Sequence, residues 1–173
     1  MISRINIFCL ALVLGVSGCA YTQKSSLPKD IKTIYIRTVL NKIPAEEIYV
    51  YNPGLEMGIT KAIIRRLNKD GNLKVAASEE EADVVLQTDL VRFQQEGLRF
   101  NNLERVEEYR LYLVLSLKLV SAKTKELLWE EPNFSGDGEY FVSDVRSVGR
   151  EEGVQRAVDR LARNVVDRIV EDW

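Results

Sequence analysis

The sequence predicts an α+β domain, a two-layer sandwich with two helices on one face of a four-stranded mixed sheet, in the order β-α-β-β-β-α. Three patterns predict it. Two segments place apolar residues at helical spacing, one long segment alternates strictly with its apolar side chains on one side, and three strand-like segments follow one another between the helices. A strand that is apolar on one side belongs to a sheet covered on one face, and amphipathic helices supply the cover.

The first eighteen residues stand outside that fold. Arg4 is the only charge before the apolar run from Ile5 to Val16, which only Asn6 interrupts. A run of about a dozen residues falls short of the roughly 20 that a spanning helix needs. A positive start, an apolar middle and a small-residue end read instead as a secretory signal. The run closes on Val16-Ser17-Gly18-Cys19, the form of a bacterial lipobox, in which small residues fit the peptidase and the thiol accepts diacylglycerol. We therefore expect a signal peptide at 1–18, a lipidated Cys19 with a polar tether at 19–29, and a single domain at 30–173. Several acyl chains on one residue anchor stably, since each buried CH₂ contributes ~0.8 kcal/mol. The ten tether residues reach at most ~35 Å, so the domain stays close to its membrane.

Ile31 to Ile36 is a β-branched run and the first strand. Thr38 to Asn52 reads as irregular, with Pro44 inside it. Asn52-Pro53 offers an N-cap followed by proline at the first helical position, where its missing N–H costs nothing. Leu55, Ile59, Ala62, Ile63 and Leu67 then recur at helical spacing, and Gly71 suits a C-terminal cap. Leu73 to Ala76 is open to a short strand, and Ser78 to Ala82 is an acidic connector. Val84, Leu86, Thr88 and Leu90 share one face of the next strand. After it, Tyr109, Leu111, Leu113, Leu115, Leu117 and Leu119 form an unbroken apolar face, backed by the more polar row from Arg110 to Val120. Ser121 to Lys125 turns the chain into Glu126 to Glu131, and Pro132 makes the continuation an edge or bulged strand. Val154, Ala157, Val158, Leu161, Val165 and Ile169 form one stripe of the last helix. A right-handed crossover sets the first strand parallel to the one beginning near Asp83, and the remaining strands form a meander.

The chemistry is mostly one of exclusion. The chain has no His, and its two cysteines are Cys9 in the signal and Cys19, so no metal site, disulfide or His-dependent triad is expected in the domain. There is no phosphate-cradling glycine loop, no cofactor is implied, and a net charge of −2 argues against nucleic acid as the main partner. Glu107-Glu108, Glu130-Glu131 and Glu151-Glu152 are adjacent carboxylates, but neighbours in a strand point to opposite faces. They read as solvated charge, with no catalytic residue among them, and the expectation is a non-enzyme. The stripe Lys61, Arg65, Lys69 reads as the solvated face of the first helix. Trp129 is expected at the sheet, and Trp173 is either a helix-end anchor or exposed.

The meander also fixes which loops meet. Gln94 to Glu104 and Phe141 to Ser147 fall at the end of the domain away from the tether, bringing Arg99, Phe100 and Arg105 toward Tyr140, Phe141, Arg146 and Arg150. Arginine takes phosphate bidentately, and aromatics beside it can cover acyl chains or sugar. A solvated surface is the ordinary alternative for such a cluster.

Cys19-Ala20-Tyr21, Ile31 to Ile36, Pro53-Gly54-Leu55-Glu56, Asp70-Gly71, Ala82-Asp83-Val84-Val85-Leu86, Tyr109-Arg110-Leu111, Leu127-Leu128-Trp129 and Phe134-Ser135-Gly136, in this order, resemble the LptE family of LPS-assembly lipoproteins. The resemblance implies an outer-membrane lipoprotein on the periplasmic face, plugging a large β-barrel, LptD, and binding lipopolysaccharide. The arginines offered for that binding are Arg99, Arg105, Arg146 and Arg150. Two positions depart: Ala20 stands where the family usually has Gly, and Lys125 where a hairpin glycine is common. An Ala rather than Asp after Cys19 agrees with sorting to the outer membrane. Activators of penicillin-binding proteins and curli-secretion lipoproteins share the Ala-Asp-x-Val-Leu and Leu-Trp strands and form the alternative reading. The short tether, and the lack of long amphipathic membrane hairpins, count against them.

Overall fold

In a computed structural model that describes residues 30–45, 53–142 and 149–171, the strands are β1 (Thr33–Ile36), β2 (Leu40–Asn41), β3 (Lys74–Val75), β4 (Val84–Phe100), β5 (Val106–Ser121) and β6 (Leu127–Phe141). The helices are α1 (Leu55–Asp70), between β2 and β3, and α2 (Arg150–Glu171), after β6. The expected signal peptide, Cys19, Arg146 and Trp173 lie outside the described residues.

The sheet runs β3-β1-β4-β5-β6, with β2 also paired to β4. β1 lies parallel to β4, as the crossover rule requires. β4, β5 and β6 form the antiparallel meander. Six strands replace the expected four because β2 and β3 are two residues each, too short to show a period. β2 continues the line of β1 along β4, pairing Leu40 with Asp89 and Asn41 with Leu90 after a detour at residues 37–39.

The meander strands are longer than their apolar alternation suggests. Gln94 to Phe100, expected as loop, belongs to β4, and β6 runs on past Pro132 to Phe141. Beyond Phe93 the β4 side chains are no longer buried, so burial leaves no pattern there, while backbone pairing to β5 continues to Phe100. Pro132 and Asn133 drop out of the β5–β6 ladder between Glu131 and Phe134, the bulge that proline demands on an edge strand.

α1 starts two residues later than expected. Gly54 is its N-cap, in a left-handed conformation at φ 89°, and gives no side-chain cap. Pro53 therefore sits in the preceding turn and not at the first helical position. A buried threonine docks this helix: the Thr60 hydroxyl donates to the Glu56 carbonyl (2.7 Å) and accepts the Val39 N–H (3.1 Å).

Both helices bury their apolar stripes in one cluster with Leu111, Leu113, Leu115, Leu117 and Leu119 of β5, all fully buried. α2 approaches β6 where glycine permits it. A Cβ on Gly136 would stand 2.6 Å from Leu161 Cβ, and one on Gly138 would strike the Gly153 carbonyl and lie 2.8 Å from Ala157 N. The opposite face of the sheet is polar in its middle, but Val85, Ala82 and Ala122 are buried there with Tyr35 and Val120 against them. Among the described residues no helix is long and apolar enough to cross a membrane.

Candidate functional site

The β4–β5 hairpin ends opposite the edge where β1 enters the sheet, since β1 and β4 are parallel and Ile34 pairs with Val84 at the other end. Asn101 builds its turn. Its side-chain carbonyl accepts the N–H groups of Leu103 (2.9 Å) and Arg105 (3.1 Å), and its backbone carbonyl accepts Glu104 N–H at 3.0 Å. Glu104 takes a left-handed conformation, φ 59°, to close the turn.

At this tip apolar surface is left bare. Leu98, Phe100, Leu103 and Val142 are 37%, 57%, 73% and 57% exposed, whereas Leu90 and Leu111, further along the same two strands, are fully buried. Phe100 folds over Gly97, where an added Cβ would meet its ring at 3.1 Å and Val106 at 3.2 Å. The polar row beside it runs across three strands, Arg99 opposite Glu108 and Glu108 opposite Phe141. Arg99 meets the Glu108 carboxylate at 3.4 Å and holds its guanidinium 5.7 Å from the Phe141 ring centroid. The arginine–aromatic juxtaposition expected from the two segments is present for this pair.

The rest of the expected cluster divides. Arg105 is exposed in the turn. Arg150, at the start of α2, reaches the hydroxyl of Tyr140, which is buried and stacked on Tyr109 at 5.4 Å. Neighbours in a strand face opposite ways, so Tyr140 with Arg150 lies on the helix side of the sheet and Phe141 with Arg99 on the other. Burial pushes the Tyr140 phenol up, partly countered by Arg150. One row inward, Arg110 binds Glu139 through Nε (3.0 Å) and Nη2 (2.6 Å), and Arg160 of α2 reaches Asp137 around the sheet edge. Sequence reasoning did not single out Asn101, which shapes the tip, or Leu98, Leu103 and Val142, which give it apolar surface. The available signal was the Asn101-Asn102 pair between two strands, since asparagine side chains bond the backbone of their own turn.

Among the described residues no group of three acidic side chains is placed to hold a metal ion. Trp129 packs at the sheet as expected, under the guanidinium of Arg168 at 4.7 Å.

A family model described as LptE, lipopolysaccharide-assembly, matches residues 31–173. No curated protein matches the chain by sequence. Among solved structures, a protein of Xanthomonas campestris aligns with TM-score 0.55 and 10% identity, over 81% of this chain and 84% of its own. A hypothetical protein of Chlamydia trachomatis gives 0.52 and 14%, over 80% and 95%. An uncharacterized lipoprotein B of Nitrosomonas europaea gives 0.52 and 15%, over 83% and 86%. At these identities the likeness is one of fold.

Proposed function

The chain belongs to the LptE family, and from that premise we propose that it serves lipopolysaccharide assembly as a plug and partner of an LptD-like outer-membrane barrel, binding lipopolysaccharide at the β4–β5 tip. The family is one of outer-membrane lipoproteins without enzymatic activity, so the work is done by binding. The observation that carries the reading is the tip itself: Leu98, Phe100, Leu103 and Val142 are exposed beside Arg99 and Arg105. Lipopolysaccharide joins phosphates to acyl chains, and a surface offering guanidinium groups next to bare apolar side chains suits both parts. Arg146 and Arg150 extend the arginine set on the sequence, Arg150 from the helix side of the sheet.

In this reading Cys19 carries the lipid at the opposite end, and the tip projects away from the periplasmic face of the outer membrane. Binding of lipopolysaccharide to the purified chain tests it. Replacing Arg99, Arg105 and Arg146 together by Glu should weaken binding strongly at low salt, because charge-assisted bonds to phosphate contribute roughly 1.5–3 kcal/mol each where partly desolvated and exposed charges are salt-screened. Circular dichroism controls for folding, and co-purification from solubilised outer membranes reports the barrel. A folded triple variant that binds like the parent ends the lipid assignment. A variant that loses the barrel moves these arginines to the protein interface.

A further inference from the structure

We propose a second anion site, a phosphoryl-binding groove between α1 and α2, on the helix layer and apart from the tip. The stripe Lys61, Arg65, Lys69 reads from sequence as a solvated face, but α2 packs beside it. Arg65, Arg66 and Lys69 of α1 then face Arg163 and Asp159 of α2 across a groove of about 210 Å³. Four cations line it with one carboxylate, and a second, Asp167, meets Arg66 beside it, in a chain whose net charge is −2.

The local ion pairs leave this excess in place. Arg65 lies 3.9 Å from Asp159 with both side chains more than half exposed, a pair that holds neither group firmly. Arg66 gives Asp167 a single bond from Nη2 at 3.3 Å, and its Nε has no partner. Among the described residues neither Lys69 nor Arg163 forms an ion pair. The floor is made by Ala62 and Ala162, both buried, whose small side chains leave room between the charged rims. Helix-dipole compensation accounts for Lys69 in the last turn of α1, but not for Arg163 in the middle of α2.

Guanidinium and ammonium groups converging on one groove outside firm ion pairs fit a phosphoryl group, which arginine takes bidentately and lysine as a point charge. The groove lies toward the end where the chain enters the sheet: Asp70 leads through Gly71 into β3, which pairs Lys74 with Thr33 at the start of β1. The same chemistry is offered by a free phosphate and by an anionic lipid headgroup.

Calorimetric titration of the full chain in neutral detergent, with inorganic pyrophosphate and separately with dihexanoyl phosphatidic acid, tests the groove. At least one probe should bind, and salt should weaken it. The double variant Lys69→Gln, Arg163→Gln removes two cations outside the ion pairs, so it should fold normally by circular dichroism and lose about tenfold or more in affinity. Binding of pyrophosphate alone identifies a free phosphate, and binding of phosphatidic acid alone a headgroup. Because the tip arginines are themselves proposed to meet phosphate, the titrations are repeated in an Arg99→Gln, Arg105→Gln background, where the groove should still bind a probe. The groove assignment fails if neither probe binds that background, or if adding Lys69→Gln and Arg163→Gln to it leaves binding unchanged.

Discussion

Asp83 holds Thr33 by both its backbone and its side chain. The carboxylate Oδ2 accepts the Thr33 N–H at 3.0 Å, the Thr33 hydroxyl at 2.9 Å and the Lys32 N–H at 3.0 Å. In return the Asp83 N–H is donated to Thr33 Oγ1 at 2.9 Å. The first residue of β1 is thereby clamped to the residue just before β4, fifty positions away in sequence, which gives the Ala82-Asp83 pair a structural role.

The clamp sets a pH dependence. Hydrogen bonds from the Lys32 backbone, then from Thr33, hold the Asp83 carboxyl below its ordinary value despite some burial. A carboxylate with a depressed folded pKa contributes stability that is complete above the unfolded pKa of ~3.9 and is lost as pH falls through the lower folded value. Asp83→Ala should cost about 2 kcal/mol near neutral pH, roughly 4–8 °C in melting temperature for a domain of this size. The gap should narrow below about pH 4. Melts of both proteins across pH check this, and a gap that stays constant into acid would show that the charge of Asp83 contributes nothing.

Glycine substitutions should split by location. Gly138→Ala places a methyl group on the Gly153 carbonyl and the Ala157 backbone, so α2 must lift from β6, at a cost of about 3 kcal/mol. A methyl group added at Gly58, within α1, would meet nothing within 4 Å. Gly58→Ala should stabilise by about 0.5–1 kcal/mol through helix propensity alone. Denaturant melts of the two variants should move in opposite directions.

Much of this architecture was legible because burial writes a period into the sequence. The odd-numbered leucines of β5 from Leu111 to Leu119, and the stripe Val154 to Ile169, name the buried faces of both layers. Legibility stops where burial stops. β4 beyond Phe93 and β6 beyond Pro132 are held by backbone pairing, and in β6 the inward positions Gly136 and Gly138 have no side chain to show. For the tip, chain direction was enough to bring Arg99 to Phe141. It could not assign faces, so Arg99 and Arg150 read as one cluster although the sheet separates their aromatic partners. The α1–α2 groove was illegible for a related reason: a helical stripe shows which residues share a face, and not which charged residue the next helix sets against them.

Cys19 is proposed as the acylation site, on the strength of Val16-Ser17-Gly18-Cys19 after an apolar run too short to span. Cys19→Ser should leave the signal uncleaved and remove the lipid, read by mass spectrometry and by loss of metabolic labelling with palmitate. A serine variant still processed at the same bond would end the proposal.

Glu104 and Lys125 share an unusual backbone. Each closes one turn of the meander at φ 59°, the left-handed region that costs an L-residue roughly 1–2 kcal/mol. Glu104 closes the tip through its N–H to Asn101 O. Lys125 closes the opposite hairpin, donating its N–H to Ser121 O at 3.0 Å while Ser121 N–H is donated to Glu126 O at 2.9 Å. A glycine at either position would take this conformation without steric penalty. The lysine ammonium gives little in exchange: it stands 4.0 Å from the Glu79 carboxylate and is 66% exposed, and such pairs contribute almost nothing. Relief of strain is offset in part by the greater backbone entropy glycine loses on folding, so Lys125→Gly and Glu104→Gly should each stabilise by about 0.5 kcal/mol. Their effects should add, because the two turns lie at opposite ends of β5 and share no partner. Chemical denaturation of the single and double variants measures this. Should Lys125→Gly destabilise, the Glu79 pair or the unfolded chain outweighs the strain. Glu104→Gly carries a further consequence, since it removes an acidic side chain beside Arg105: lipopolysaccharide binding at the tip should rise or hold steady, and a clear loss would mean that Glu104 positions the turn for its ligand.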